Sequence, residues 1–259
     1  VGTAHSLDSN FKSKVMNALF AAGTLRIYKK NPVLAKTSAA KEELRQLGVP
    51  HAVIAPVGLD TAVLKKNIPA DEKMRLRKEH GFEADDVILC NVSRLSWEKR
   101  PLELIDLFLQ VKGKKKFKLI IVGNGPLEEE LNEKIRKNGL EKEVKIYPNV
   151  PYEKMWEIYE MSDYYLNMNK GEIFGMAIME AVYYKTSVAA IRALGPSVTL
   201  KDMKGHKLCE NDDEMAEWIT GPYPSEKDLQ ESSEKMAATF TWDRCADAFL
   251  QASSEKSSR

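Results

Sequence analysis

The sequence predicts an α/β protein with a Rossmann-like parallel sheet, and two features of the chain support this. From about Asp85, short apolar runs alternate with stretches of helical periodicity, an order typical of parallel βαβ units with helices on both sheet faces. Several of the loops that follow the apolar runs carry glycines and charges, as loops at the ligand-binding edge of such sheets do. We expect this domain to extend to about Trp218.

The regular part of the chain divides into alternating strands and helices. We predict strands at residues 87–92, 118–122, 144–147, 164–168 and 187–191, and helices at residues 98–111, 127–138, 153–161 and 174–184. Before them we predict a helix at residues 13–30, a strand at 33–37, a helix capped by Ser38 to residue 47, a strand at 52–55 and a turn at 56–60. A last helix is predicted at residues 242–250.

Composition excludes some function classes. Lys and Arg number 39 against 38 Asp and Glu, which gives no electrostatic reason to expect nucleic-acid binding. Basic residues do cluster locally, which usually indicates a solvated face and leaves a weak contact with a membrane surface as the other reading. The clusters are Lys112, Lys114, Lys115, Lys116 and Lys118, and Arg26, Lys29 and Lys30.

The three cysteines are widely spaced and form neither a metal-type pair nor a disulfide framework. The sequence shows no signal peptide and no apolar run of membrane-spanning length. We therefore expect a cytoplasmic protein, with the inner face of the membrane as its other candidate location. The chain starts with Val1 rather than Met, so we expect its N-terminus to be cut.

Three loops after predicted strands contain candidate ligand-binding residues. The first carries Arg94 and Lys99, whose cations suit a phosphate, although surface charge explains them equally well. The second, with Gly123 and Gly125, suits a close backbone approach to a ligand or an ordinary tight turn. Glu128 occupies the place of the third glycine in the dinucleotide fingerprint, which argues against a standard NAD site.

The third loop runs from Gly171 into a predicted helix. Free N–H groups and the positive dipole end at a helix start favour phosphate. Glu172 precedes the helix and Glu180 lies about two turns into it, and each carboxylate could accept hydrogen bonds from sugar hydroxyls. A capping Glu172 and a surface Glu180 are the plainer interpretation of these two residues.

This third segment resembles the paired-glutamate motif of retaining glycosyltransferases with the GT-B fold, specifically the family 4-like, group 1 enzymes. Arg94 with Lys99, the glycine turn at residues 123–126, Val150-Pro151, and the two glutamates with the glycine between them fall in the family's order. The resemblance covers roughly residues 87–218. It also extends to His5 and to the last helix, which is similar to the family helix that returns to the first domain.

The resemblance implies a role for each site residue. Arg94 and Lys99 would neutralise the diphosphate of the donor, Glu180 would bind the ribose and Glu172 the transferred sugar. Further donor contacts are implied for Gly123, Gly125, Val150, Phe174, Gly175 and Met176. His5 is similar to a family histidine near the reacting sugar, although a lone histidine is more often structural.

The implied reaction moves a sugar from a UDP- or GDP-sugar to an acceptor hydroxyl with retention, without metal or cofactor. We expect an acceptor glycan or glycolipid and a role in polysaccharide or glycolipid synthesis; the oligomeric state stays open. The sequence departs from the family at residues 193–197, which lack one glycine and the acidic residue of the usual turn, and at residues 167–170. These departures put sugar specificity in doubt more than nucleotide binding.

The resemblance divides the chain into three parts. Residues 1–60 would be the remnant of the acceptor domain, 61–238 the donor domain and 239–259 the returning helix. Because most of the acceptor domain is missing, we expect nucleotide binding without sugar transfer, and apolar surface exposed at Val33, Leu34 and Ala35. The alternatives are a non-catalytic partner subunit, a nucleotide-sugar epimerase and, less favoured, a nicotinamide enzyme.

Overall fold

The computed structural model describes residues 21–31, 33–55, 57–61, 64, 68–69 and 71–257 of the chain. Contacts between Cα atoms divide the chain into two compact units, one of Val1–Gly58 with Trp242–Arg259 and one of Leu59–Thr241. Each unit is described separately.

The first unit contains a two-stranded parallel sheet. Strands β1 (Leu34–Ala35) and β2 (Val53–Ile54) are joined through helix α1 (Ser38–Gln46), and a helical segment at residues 21–28 precedes them. The last helix, α10 (Trp242–Ser257), also belongs to this unit, and its Cα atoms contact β2.

Two predictions for this unit were wrong in detail. The N-cap of α1 is Thr37 rather than Ser38, because the Thr37 hydroxyl accepts a hydrogen bond from the Ala40 N–H at 3.1 Å. Val33 and Ala35 are buried in a small core with Leu44 and other apolar residues, so Leu34 alone of the three expected positions is exposed.

The second unit is built on a six-stranded, fully parallel sheet with the strand order β5-β4-β3-β6-β7-β8. The strands are β3 (Val87–Val92), β4 (Phe117–Val122), β5 (Val144–Tyr147), β6 (Tyr164–Asn167), β7 (Ser187–Ile191) and β8 (Lys207–Cys209). The helices are α2 (Glu72–Glu79), α3 (Pro101–Val111), α4 (Glu128–Lys137), α5 (Met155–Met161), α6 (Met176–Tyr183), α7 (Leu194–Thr199), α8 (Asp212–Thr220) and α9 (Glu226–Thr239). This confirms the predicted α/β fold class.

The central strands read as continuous apolar runs because they are covered on both faces. Ile88, Leu89 and Cys90 of β3 are fully buried, as are Leu119, Ile120 and Ile121 of β4. The sequence analysis did not predict β8 or helices α2, α7, α8 and α9.

The four predicted helices of this unit start one to three residues later than expected, and the backbone explains two of these late starts. The helix predicted at residue 98 begins at Pro101, because Arg100 adopts a left-handed conformation with φ 55° and a short 3-10 turn, Trp97–Lys99, precedes it. The helix predicted at residue 174 begins at Met176, because Gly175 has φ 86°.

Strands β3 and β6 lie side by side at the centre of the sheet. From β3 the chain proceeds through β4 and β5 toward one edge, and from β6 through β7 and β8 toward the other. The strand order therefore reverses between β3 and β6. In open α/β sheets, ligands bind in the crevice that forms at the carboxyl ends of the strands at such a point.

Candidate functional site

The loops that follow β3 and β6 meet at this reversal point. Lys99, on the 3-10 turn after β3, donates to the Oε2 atom of Glu172, on the loop after β6, with an Nζ–Oε2 distance of 2.8 Å. Asn169 donates to the same oxygen at 3.1 Å. The structure thus brings together two predicted site residues that are 73 positions apart in the chain.

The environment of Glu172 keeps its carboxyl group ionised. Burial by itself would raise the pKa, but the hydrogen bond and positive charge of Lys99, with the Asn169 amide, outweigh it and lower the pKa below the usual value for glutamate. Lys99 and Asn169 both donate to Oε2 of Glu172, and a hydrogen bond from the Asn167 side chain also lowers its pKa. Oε1 is the less occupied oxygen of the two and the one that a ligand hydroxyl can approach.

Arg94 lies on the same loop as Lys99 but is exposed. Its side chain has no hydrogen-bond or ion-pair partner among the described residues, while its carbonyl accepts from the Ser96 N–H at 3.0 Å. Its neighbour Leu95 is fully buried and anchors the loop to the core. Arg94 is therefore a cation on an anchored loop with its guanidinium free for an anion.

The glycines after β4 are explained by packing between neighbouring loops. A Cβ atom on Gly123 would lie 1.9 Å from the carbonyl oxygen of Ser93, and one on Gly125 would lie 2.4 Å from that of Leu95. The Leu95 N–H donates to the Asn124 carbonyl at 2.9 Å, which joins the two loops. These glycines let the β4 loop support the loop that carries Arg94, and their contact with a ligand stays a prediction.

Arg100 is a site-supporting residue that the sequence analysis missed. Its guanidinium donates twice to the Asp212 carboxylate, at 3.0 and 2.8 Å, and once to the Met168 carbonyl at 3.4 Å. It therefore ties the loop after β3 to the segments that follow β6 and β8. The partners come from distant parts of the chain, so no local signal identifies this role.

The loop after β6 leads into α6 through Gly175. The first N–H groups of α6, those of Met176 and Ala177, form no backbone hydrogen bond within the described residues, as is usual for a helix start. Phe174 is buried against Phe240, with ring centroids 6.0 Å apart. The N–H groups thus point from a well-anchored helix start, which suits an anion.

Gly195 is a second residue whose role sequence reasoning missed. Its N–H donates to the Glu172 carbonyl at 2.8 Å, and a Cβ atom there would lie 2.5 Å from the Phe174 nitrogen. The first turn of α7, which follows β7, therefore supports the backbone of the glutamate segment. Its position after a predicted strand, next to Pro196, was the available signal.

Glu180 is buried on α6, with 7% of its surface exposed, and is not the surface residue of the plainer reading. The Tyr159 hydroxyl donates to Oε2 at 2.8 Å and the Tyr152 hydroxyl to Oε1 at 3.3 Å. Burial raises the pKa of Glu180, and the two hydroxyls offset this only in part. An open surface pocket adjoins this carboxylate, lined by Leu64, Tyr152, Glu153, Met155, Trp156, Tyr159, Glu180 and Tyr184.

The remaining predicted residues are placed as follows. Val150 lies in the loop after β5, and its backbone N–H and C=O are unused by other described residues. His5 lies outside the described residues. Within the described ranges, no group of three or more His, Cys, Asp and Glu side chains has the arrangement of a metal site. No helix there is both long enough and apolar enough to cross a membrane.

Comparison with known proteins gives consistent findings. Residues 72–236, more than half of the chain, match the family described as "Glycosyl transferases group 1". The D-inositol 3-phosphate glycosyltransferase of Mycobacterium avium (strain 104) is 26% identical, covering 96% of this chain and 62% of that protein. The alpha-monoglucosyldiacylglycerol synthase of Streptococcus pneumoniae (strain ATCC BAA-255 / R6) is 24% identical, covering 53% of this chain and 32% of that protein.

Among solved structures, the Anabaena protein Alr3699/HepE in complex with UDP and glucose has a TM-score of 0.73 at 20% identity. The match covers 91% of this chain and 67% of that chain, and it shows a shared fold. This chain spans less than two thirds of the length of the two curated relatives.

Proposed function

Since the chain belongs to the glycosyl transferases group 1 family and has the α/β architecture of GT-B glycosyltransferases, we propose that it provides the donor-binding part of a retaining glycosyltransferase. The donor is a nucleoside diphosphate sugar, and the sugar passes to an acceptor hydroxyl. The observation that carries the proposal is the Lys99–Glu172 pair at the reversal point of the sheet, where this architecture binds its ligands.

The diphosphate is the part of the donor for which the site offers the most candidate binding groups. The Arg94 guanidinium has no partner among the described residues, and Lys99 can turn from Glu172 toward a phosphate. The N–H groups of Met176 and Ala177, without a backbone acceptor in the same part of the chain, suit anionic oxygens. Such preorganised donors stabilise negative charge as it develops on the leaving diphosphate. We propose that these groups do this without a metal ion.

The two glutamates contact different parts of the donor in this proposal. Glu172, ionised and with Oε1 open, binds a hydroxyl of the transferred sugar. Glu180, beside the pocket, binds the ribose, and the unused backbone groups of Val150 face the base. We assign His5 to the reacting sugar and the acceptor, on family resemblance alone.

The acceptor and its setting are proposed at a coarser level. The two curated relatives act, by their names, on an inositol phosphate and in glucosyldiacylglycerol synthesis, which supports a glycan or glycolipid acceptor. The basic cluster before β4 gives little support for membrane contact. Lys112 pairs with Glu143, Lys116 pairs with Asp85, and Lys115 donates to the carbonyls of Ile219 and Gly221.

Substituting the two glutamates separately tests the proposed function. Glu180→Gln should weaken UDP or GDP binding about 10- to 150-fold, since a hydrogen bond to a charged group contributes roughly 1.5–3 kcal/mol. Glu172→Gln should leave nucleotide binding intact or tighten it, because Lys99 loses its internal counter-charge. In a sugar-transfer assay, Glu172→Gln should sharply lower the rate of transfer.

Glu133→Gln at an exposed position of α4 is the matched control, because it removes a carboxylate without a partner among the described residues. Calorimetry measures binding and a donor-consumption assay measures transfer. If Glu180→Gln and Glu172→Gln both behave like Glu133→Gln, the two glutamates have no part in donor binding.

A further inference from the structure

Glu180 is held by a tyrosine that is itself fixed by its surroundings. Tyr159 is 1% exposed, and its ring stacks on that of Tyr184 with centroids 5.9 Å apart and planes at 11°. Its backbone carbonyl accepts from the Thr186 hydroxyl at 2.9 Å. The hydroxyl that reaches Oε2 of Glu180 therefore has little freedom to move.

The other oxygen of Glu180 is held loosely. Tyr152 reaches Oε1 across 3.3 Å, at the long end for a hydrogen bond between oxygens, and its side chain is 52% exposed. Both residues line the open pocket. Oε1 is thus the oxygen that an entering ligand can reach once Tyr152 moves away.

Among the described residues, Glu180 has no cation paired with it. Within the described ranges, no Lys, Arg or His forms an ion pair with it, and the groups that act on its pKa are burial, Tyr159 and Tyr152. The other ionisable groups nearby are acids. The charge of Glu180 contributes to the raised pKa of Tyr165 on β6, Glu153 lines the same pocket, and the charge of Asp60 contributes to the raised pKa of Tyr152. A buried carboxylate without a cation depends on hydroxyl donors to stay ionised.

We propose that Tyr159 is a positioning residue, which fixes the Glu180 carboxylate through Oε2 and leaves Oε1 directed to the ribose hydroxyls of the nucleotide. This inference rests on the proposed function, because it takes the ribose as the partner of Glu180. It goes beyond that function because it attributes the orientation and the ionisation of the Glu180 carboxylate to one buried hydroxyl, that of Tyr159.

The proposal has a signature in pH dependence. Burial raises the pKa of Glu180, so nucleotide affinity falls with falling pH earlier than for an ordinary glutamate. Removing the Tyr159 hydroxyl removes an interaction that lowers this pKa, so the loss moves to still higher pH. A merely structural effect of the substitution would weaken binding equally at every pH.

The test compares wild type with Tyr159→Phe in two measurements. The carboxyl carbon resonance of Glu180, identified by its loss in Glu180→Gln, should titrate at a higher pH in Tyr159→Phe. The UDP affinities of the two proteins should differ least at alkaline pH, where only the orientation of the carboxylate is lost, and should separate further as the pH falls. Below both pKa values the additional difference should reach about tenfold for each unit by which the pKa values differ.

Tyr164→Phe is the matched control, because the Tyr164 hydroxyl is buried and has no hydrogen-bond partner within the described residues. It should leave the pKa of Glu180 and the pH profile unchanged. With 2′,3′-dideoxyuridine diphosphate, which lacks the ribose hydroxyls, the difference between wild type and Tyr159→Phe should disappear. If Tyr159→Phe does not fold, 3-fluorotyrosine at position 159, a stronger hydrogen-bond donor, should lower the pKa of Glu180 instead.

Two failures are distinguishable. An unchanged Glu180 titration in Tyr159→Phe, or with 3-fluorotyrosine if the Phe variant does not fold, overturns the role of Tyr159. If the pKa of Glu180 shifts but the pH dependence of UDP affinity does not change, Tyr159 does position Glu180, and the contact between Glu180 and the ribose is contradicted. That part of the proposed function is then contradicted as well.

Discussion

Glu172 and Glu180 are one residue type placed in two environments with opposite effects. The cation of Lys99 lowers the pKa of Glu172 against the effect of burial, whereas burial prevails at Glu180 and raises its pKa. Both carboxyl groups have one oxygen firmly held and one oxygen open or loosely held. Each is therefore oriented before any ligand arrives, as a site that recognises hydroxyl groups requires.

Gly123 provides a prediction at the residue scale. Gly123→Ala adds a Cβ atom that would overlap the Ser93 carbonyl at a φ of 138°. We expect it to lower the free energy of unfolding by about 2–5 kcal/mol, of which about 1–2 comes from the conformation and about 1–3 from the overlap. The Arg94 loop should shift as well, which weakens UDP binding.

Gly113→Ala is the control, since Gly113 also has a positive φ, 86°, but nothing within 4 Å of the added atom. Denaturant unfolding monitored by fluorescence measures both variants. Equal losses for the two would show that the close packing of the loops is not needed.

Part of the site could be predicted from sequence, and the reason is local spacing. Three of the predicted residues, Arg94, Lys99 and Glu172, come within a few positions of the end of an apolar run. Glu180 lies in the helix that follows one. Arg100, Gly195 and Tyr159 were missed because their roles depend on partners in segments that tertiary structure alone brings near. The roles of all site residues in ligand binding stay predictions.

At the scale of elements, α2 shows how a helix with little apolar surface is held in place. Its sequence is highly charged, and Leu76 is its fully buried apolar residue, which is why the pattern did not predict a helix. Arg77 of α2 donates to Asp163 at 2.6 Å and to the Met161 carbonyl at 2.9 Å. Lys73 donates to the same carboxylate at 2.9 Å. This ionic contact fixes α2 at the start of β6.

Replacing Arg77 tests this contact. Arg77→Met leaves Asp163 less compensated in a mostly buried site, so we expect the free energy of unfolding to fall by about 3–5 kcal/mol. Arg75→Met on the same helix is the matched control. The Arg75 side chain is 49% exposed, and solvent screening leaves its ion pairs with little effect on stability.

Chemical denaturation of both variants gives the comparison. A loss for Arg77→Met no larger than that for Arg75→Met would show that the pair with Asp163 does not hold α2. Nucleotide binding to the folded Arg77→Met protein should be unchanged, because Arg77 bonds to Asp163 and to the carbonyls of Met161 and Asp86, none of which is assigned to the donor.

At the scale of the whole molecule, the strand order of the six-stranded sheet determines where the candidate site lies. Alternation of apolar runs and helical periodicity predicted the parallel sheet and five of its strands, because strands buried on both faces leave a strong signal. The edge strand β8 is short, three residues, and half exposed at its start, so its pattern is too weak to read. The reversal between β3 and β6, which places the site, is a property of pairing that the sequence does not display.

Calorimetric titration of the 259-residue chain with UDP and GDP tests the central claim most directly. The claim is that the reversal point of the sheet binds a nucleoside diphosphate. The chain should bind one of these nucleotides, and the variant with both Arg94→Ala and Lys99→Ala should bind it at least about tenfold more weakly. Uridine or guanosine, which lack the phosphates, should bind the variant and wild type alike.

The variant with Arg136→Ala and Lys137→Ala is the control. Both residues are exposed on α4, so the variant removes the same charge from a surface outside the site. It should keep the wild-type affinity. Undiminished affinity in the Arg94→Ala, Lys99→Ala variant, or no binding of either nucleotide by the wild-type chain, would contradict the account.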